Sequence, residues 1–445
     1  MIARRDVKSM IGAVLIAVAG TAPAGPAAGS GEDLSRYMRR MAEGGFSGAV
    51  LVTRGKDVLL RDAYGLADAE LGVPNTPETI FRIGSVTKPL VAAAVMRLVS
   101  RGVLGLEDPL ARFMPGCPEE WRPVQVVDLL SHTSGIPDLF GDVESGPPGE
   151  LRELVDKALR EAGETALRGE PGSRYAYSNF GYLLLAYVIE VADGRSWLEV
   201  LRREVFEPAG LRATRYDSVW ELVPGRARGY ARKGEELLNT EYKDHGGLSA
   251  GGLLSTLDDL GRFAAAVDEG PLLPRELERR MYSPGEGNCA LGWQVTRFYD
   301  HPVRNHTGGI GGFASHVAAY PESGVFIAVL SNIEDTPVKA LACDLAALTF
   351  GGHGTVLDGS PAETPAAASL DLMAGTYLGE DGSERTIRRG ESSLTLERGE
   401  ASFPLVPIGG GLFTAEALPG VVLEFEGKPG APASALVART CGSEM

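Results

Sequence analysis

The sequence predicts an α+β fold: an antiparallel β-sheet flanked by helices, with an inserted helical subdomain and a small all-β domain behind it. Three observations predict this. Apolar runs of strand length lie near both ends of residues 29–350. From Gly105 to about Glu241, apolar residues recur mainly at helical spacing, broken by Pro and Gly. After Gly351–Ser369, a stretch rich in Gly, Pro and Ala, short alternating runs return without any helical period. One sheet built from N- and C-terminal pieces, with helices on its faces, is the economical arrangement.

The elements follow in order. Residues 29–43 read as a helix with Leu34, Tyr37, Met38 and Met41 on one side. Phe46–Val52 and Val58–Tyr64 read as two strands joined by a turn at Thr53–Asp57. Gly65–Pro77 is a polar loop, and Thr79–Ile83 a short strand. Ser85 then opens an apolar helical run that includes Leu90 to Leu104. In the middle block, Glu150–Glu161, Phe180–Ala192 and Trp197–Val205 are amphipathic, and Gly251–Val267 repeats Leu at helical spacing. Leu291–Phe298, Val303–Thr307, Phe313–Tyr320 and Val325–Ser331 form a meander of strands, and Val338–Leu348 a last helix. Residues 351–369 read as a linker and 370–441 as a small β-barrel-like accessory domain.

With 44% hydrophobic and 23% charged residues, the 445-residue chain has the balance of a folded enzyme-sized protein rather than a disordered one. The net charge of −16 disfavours nucleic acid and anionic membrane as partners. Arg4, Arg5 and Lys8 precede an apolar run, Met10–Ala19, that is too short to span a bilayer. Residues 1–28 therefore read as a signal peptide, with no stable membrane insertion after its removal and a periplasmic or extracellular product. The Arg4-Arg5 pair leaves the Sec and twin-arginine routes both open. Cys117, Cys289, Cys343 and Cys441 are widely spaced and form no metal motif; Cys343 reads as a small buried hydrophobe. Neither a cofactor nor a metal site is expected.

Ser85-Val-Thr-Lys88 carries the first chemical signal. Ser and Lys three apart on a helix share a face. A serine hydroxyl needs a base to take its proton, and a desolvated lysine can be one. The chain has eight Lys against thirty-five Arg, and Arg could not replace Lys88 as a base. Two later motifs answer it. Tyr177-Ser-Asn179 offers a phenol that can relay a proton and an amide that can bind a lysine or a carbonyl. His306-Thr307-Gly308, followed by Gly309, falls on a strand where glycine lets a substrate backbone come close. Each alone is weak: a surface lysine, a turn and a strand histidine would serve as well. His132 and His316 read as structural, and Trp293 as core.

The ordered set S-x-x-K, Y-x-N, [K/H]-T-G, with intervals of 92 and 129 residues, resembles the penicillin-recognising serine enzymes in their class C β-lactamase and DD-peptidase branch. Ser131–Pro137 and Gly251–Ser255 resemble segments of the same branch, and the likeness spans about residues 40–350. The tail resembles the small lipocalin-like domain found behind such enzymes. The resemblance implies a β-lactamase/transpeptidase-like fold and an exported serine hydrolase. In it Ser85 is the acyl-forming nucleophile, Lys88 helps remove its proton, and Tyr177 acts as general base and acid. It assigns Asn179 to Lys88 and the substrate amide, and His306, Thr307 and Gly308 to the substrate-binding wall. The oxyanion hole would be the backbone N–H groups of Ser85 and Gly309. The implied substrate is a small peptide or ester, with peptidoglycan fragments among the candidates. The activity would be that of a D-Ala-D-Ala carboxypeptidase or a D-amino-acid peptidase-like amidase. An esterase or weak β-lactamase on the same site, or a non-catalytic penicillin-binding module, is the alternative. His306 stands where the β-lactamases of the branch usually carry Lys, which points to peptidase and esterase members.

Overall fold

The computed structural model describes residues 30–140, 151–161, 166–218, 220–234, 236–240, 248–268, 270, 272–298, 301–351, 367–378, 384–391, 393–398, 401–409, 412–415, 418–426 and 433–440. The expected signal peptide and most of the expected linker lie outside these residues.

Helix α1 (Gly31–Glu43) starts at Ser30, whose hydroxyl accepts from the Asp33 amide while the Asp33 carboxylate reaches back. Its buried face is Leu34, Tyr37, Met38 and Met41, as the spacing predicts. Strands β1 (Gly48–Arg54) and β2 (Asp57–Tyr64) form the expected hairpin. Far along the chain come β3 (Gln294–Phe298), β4 (His301–Ile310), β5 (Phe313–Tyr320) and β6 (Val325–Ser331). The six make one antiparallel sheet in the order β3-β4-β5-β6-β1-β2, so strands from early and late in residues 30–351 meet where β1 pairs with β6.

The central strands are apolar on both faces because both faces are covered. In β1, Ala49 and Leu51 join one core while Val50 and Val52 join another. In β6 the same alternation sends Phe326, Ala328 and Leu330 one way and Ile327 and Val329 the other. Helix α1 and the late helix Val338–Thr349 cover the second face, tied by the Tyr37 hydroxyl donating to Asp344 at 2.7 Å. The first face carries the larger core, which includes α2 (Thr87–Ser100), α3 (Asn179–Asp193) and α4 (Leu257–Asp268).

Several expectations need correction. The helix after Ser85 stops at Ser100, not Leu104, because Gly102 turns into the left-handed region at φ +69°. Leu253–Ser255 is a strand, not the first turn of α4; it pairs with Phe81–Arg82 and Arg215–Tyr216 in a three-stranded sheet. Two leucines in so short a run satisfy a buried strand as well as a helix. The middle block also holds a hairpin, Tyr230–Lys233 with Glu236–Asn239, and the loop after Gly65 holds another, Leu66–Asp68 with Val73–Pro74. At the C-terminal end, Ala367–Met373 is helical, across the end of the expected linker and the first residues of the expected β domain. Seven antiparallel strands follow in chain order from Gly375–Leu378 to Ala435–Thr440, around Leu394, Leu396, Phe413 and Leu423. Cys343 is buried but disulfide-bonded rather than free, while Cys117 and Cys289 are free and buried.

The segment that leads into Ser85 is held by a buried ion pair. Arg82 Nε lies 2.6 Å from Asp217 Oδ2, with side chains 4% and 1% exposed. Removing one partner strands a charge in the interior. Asp217→Ala is expected to lower the unfolding free energy by about 3–5 kcal/mol, measured by denaturant titration.

Candidate active site

Ser85 sits in a 3₁₀ turn, Gly84–Val86, that runs straight into α2. Lys88 lies one turn further on, with 0% of its surface exposed. Its Nζ has three neighbours: Asn179 Oδ1 at 2.8 Å, the Ala250 carbonyl at 2.8 Å and Ser85 Oγ at 3.0 Å. Burial drives this ammonium down to about 7, with the Asp138 carboxylate opposing the shift. A neutral amine has two N–H groups and one lone pair. The two carbonyl oxygens cannot donate, so they take both N–H groups, and the lone pair faces the Ser85 hydroxyl.

Tyr177 precedes α3, whose N-cap is Ser178 and whose first residue is Asn179. Asp138 helps fix this helix start, accepting from the Phe180 amide at 2.9 Å. The Tyr177 hydroxyl donates to Ser85 Oγ at 2.8 Å. Burial raises the phenol to about 12, and its bond to Ser85 opposes the rise. It is therefore a neutral proton donor at neutral pH. Lys88 Nζ also lies over the Tyr177 ring, 4.8 Å from its centroid.

The third motif lies on β4, which pairs with β5 so that Thr307 faces His316, Gly308 faces Ser315 and Gly309 faces Ala314. A Cβ built on Gly84 would lie 2.8 Å from Gly309 N, and one built on Gly308 would lie 3.0 Å from Ser85 N. The strand and the nucleophile turn thus touch backbone to backbone, which brings together the two amides expected to form the oxyanion hole. Ser315 Oγ anchors the same contact, donating to the Ile83 carbonyl at 2.7 Å.

His306 is buried, and its Nδ1 lies 2.9 Å from the Thr307 carbonyl. A carbonyl only accepts, so Nδ1 carries the proton and Nε2 a lone pair. Burial, then repulsion from Lys88, pushes the imidazole down to about 3. Thr307 is exposed, and its hydroxyl lies 2.8 Å from Nδ1 of the buried His316. This stretch of β4 therefore carries an exposed threonine and a buried neutral ring, without the cation that Lys would supply here.

Of the residues singled out in the sequence, Lys88 and Tyr177 meet at Ser85 Oγ, Asn179 binds Lys88, and Gly308 packs against the turn that bears Ser85. Reading the sequence missed the Ala250 carbonyl, since a backbone acceptor leaves no side-chain signature, although the flagged Gly251–Ser255 segment begins next to it. It also missed Asp138, which directly follows the flagged Ser131–Pro137 run. Trp293 is core, stacked on Phe263.

A model of the Beta-lactamase family matches residues 34–349. The chain belongs to that family. It is a serine hydrolase by this membership. The chain is 28% identical over 413 residues to Penicillin-binding protein 4* of Bacillus subtilis (strain 168), covering 85% of this chain and 90% of the relative. It is 27% identical over 325 residues to a D-aminopeptidase of Gluconobacter oxydans (strain 621H), covering 68% of this chain and 59% of that one. Among solved structures, the octameric penicillin-binding protein homologue from Pyrococcus abyssi superposes with a TM-score of 0.65 at 24% identity. That match covers 92% of this chain and 99% of the other, and it shows the shared fold. Among the described residues, no helix is long and apolar enough to cross a membrane.

Proposed function

We propose that this family member is an exported hydrolase that forms an acyl-enzyme on Ser85, with a D-amino-acid-containing peptide or amide as substrate. The observation that carries the reading is the coordination of Lys88. Two carbonyl acceptors take its N–H groups, and Ser85 lies in its remaining direction. In this reading Ser85 Oγ attacks the substrate carbonyl carbon as its proton passes to Lys88 Nζ. The oxyanion is held by the N–H groups of Ser85 and Gly309. The carbon–nitrogen bond breaks as the Tyr177 hydroxyl gives its proton to the leaving amine, and Lys88 returns a proton to Tyr177. Water then attacks the ester, with the same groups acting in reverse. The phenol at about 12 supports Tyr177 as the acid more than as a standing phenolate base.

Within this class, the neutral His306 ring favours a D-amino-acid peptidase or amidase over a carboxypeptidase, which must hold a free carboxylate beside the scissile bond. The D-aminopeptidase relative supports the same choice. The disulfide at Cys343 supports export to an oxidising compartment.

The test is intact mass after exposure to a fluorophosphonate and, separately, to a penicillin. Wild type is expected to gain a single fluorophosphonate adduct, and Ser85→Ala none. An adduct that persists in Ser85→Ala would assign the chemistry to another serine. Absence of any adduct on wild type with either reagent would remove the acyl-enzyme reading.

A further inference from the structure

Tyr177 needs something to hold its hydroxyl on Ser85, because it stands in an irregular segment ahead of α3 and keeps 41% of its surface exposed. The residue that does most of this comes from another part of the chain. His132 is 4% exposed, and its carbonyl accepts from the Ala176 amide at 2.8 Å. Its ring Nδ1 accepts from the Ser178 amide at 3.1 Å. The two bonds grip the residues on either side of Tyr177. Between them the imidazole lies against the phenol, centroids 4.5 Å apart and planes 32° from parallel. Behind it, the ring also packs on Tyr182, 5.2 Å away.

The local backbone is shaped for this grip. His132 is one of three non-glycine residues with positive φ among the described residues, at +57°. Such a conformation is uncommon outside glycine, although His adopts it more readily than most residue types, and its surroundings hold it here. The Nδ1 bond also sets the tautomer: a nitrogen that accepts from a backbone N–H carries no proton. A protonated His132 would lose that bond. Burial keeps the ring neutral, and repulsion from Lys88 and His306 acts the same way.

We propose that His132 is the positioning residue for Tyr177, holding the peptide on both sides of the phenol and stacking on its ring so that the hydroxyl meets Ser85 Oγ. This rests on the reading of Ser85 and Tyr177 given above. It predicts that His132 acts on the chemistry only through Tyr177.

A double-mutant cycle tests that dependence. The readout is the rate of fluorophosphonate labelling of Ser85, in which departing fluoride takes the Tyr177 proton in place of the amine, followed by intact mass. His132→Ala in the wild-type background is expected to slow labelling by about 100-fold, the scale of an ångström of misplacement. In the Tyr177→Phe background the same change is expected to cost less than about 2-fold, since no hydroxyl remains to be misplaced. His132→Asn tolerates positive φ and keeps an acceptor for the Ser178 amide, so it should recover about a tenth of the wild-type rate. It also provides a folded variant if the alanine one fails to fold. Equal losses in both backgrounds would overturn the proposal and make His132 a general fold residue. An unchanged rate in His132→Ala or His132→Asn would overturn it as well. Loss of labelling in Ser85→Ala with an additive cycle leaves the acyl-enzyme reading standing and removes only this inference.

Discussion

Lys88→Arg should reduce the rate of Ser85 labelling by about 1,000-fold or more, although the positive charge is kept. Arginine stays protonated at every pH a protein survives, so it has no lone pair for the Ser85 proton. It is also larger than the fully buried site that Lys88 fills. The pH profile separates loss of the base from loss of packing. In wild type, raising the pH converts the ammonium to the free amine. The labelling rate is therefore expected to rise with pH and level off above about 7, the value to which burial drives Lys88. Lys88→Arg should show residual labelling without that limb. A wild-type limb near the ordinary lysine value would mean that burial does not prepare the amine. Near-normal labelling in Lys88→Arg would remove its role as base.

How much of this was legible in the sequence depended on where the information sits. The largely apolar runs of β5 and β6 are bounded by turn residues, and the sequence bounds match Phe313–Tyr320 and Val325–Ser331. The face of α1 was equally plain, because Leu34, Tyr37, Met38 and Met41 need no knowledge of their partners. Leu253–Ser255 misled, because a strand of three residues carries too few positions to show a period. The three motifs lie far apart in sequence. The meeting of Tyr177 with Ser85 Oγ, and the packing of Gly308 against the same turn, could be inferred only from resemblance, since spacing alone does not bring either to Ser85. Least legible were contributions made through backbone. The Ala250 carbonyl on Lys88 and the His132 carbonyl on Ala176 would be the same for almost any side chain at those positions. His132 did read as structural, and its ring partners show what that structure holds in place.

Gly308→Ala is the second large effect expected, and its neighbour supplies the control. A methyl on Gly308 would lie 2.1 Å from the Ile83 carbonyl oxygen, 2.4 Å from Ser315 Oγ and 3.0 Å from Ser85 N. Ser315 can rotate, but the other two atoms are backbone. Either β4 or the turn that bears Ser85 must retreat, and the Gly309 amide moves away from the Ser85 amide. Losing one donor to a developing oxyanion costs about 100- to 1,000-fold in rate. Gly308→Ala should slow Ser85 labelling by that factor and lower the unfolding free energy by about 1–3 kcal/mol, the usual cost of overpacking. A Cβ on Gly309 meets nothing within 4 Å, so Gly309→Ala should unfold at nearly the wild-type midpoint. The two variants add the same methyl one residue apart on the same strand, which removes composition and strand propensity as explanations. Denaturant titration and labelling kinetics on the pair decide the matter. Wild-type labelling by Gly308→Ala would show that the contact between β4 and the Ser85 turn does not set the oxyanion site.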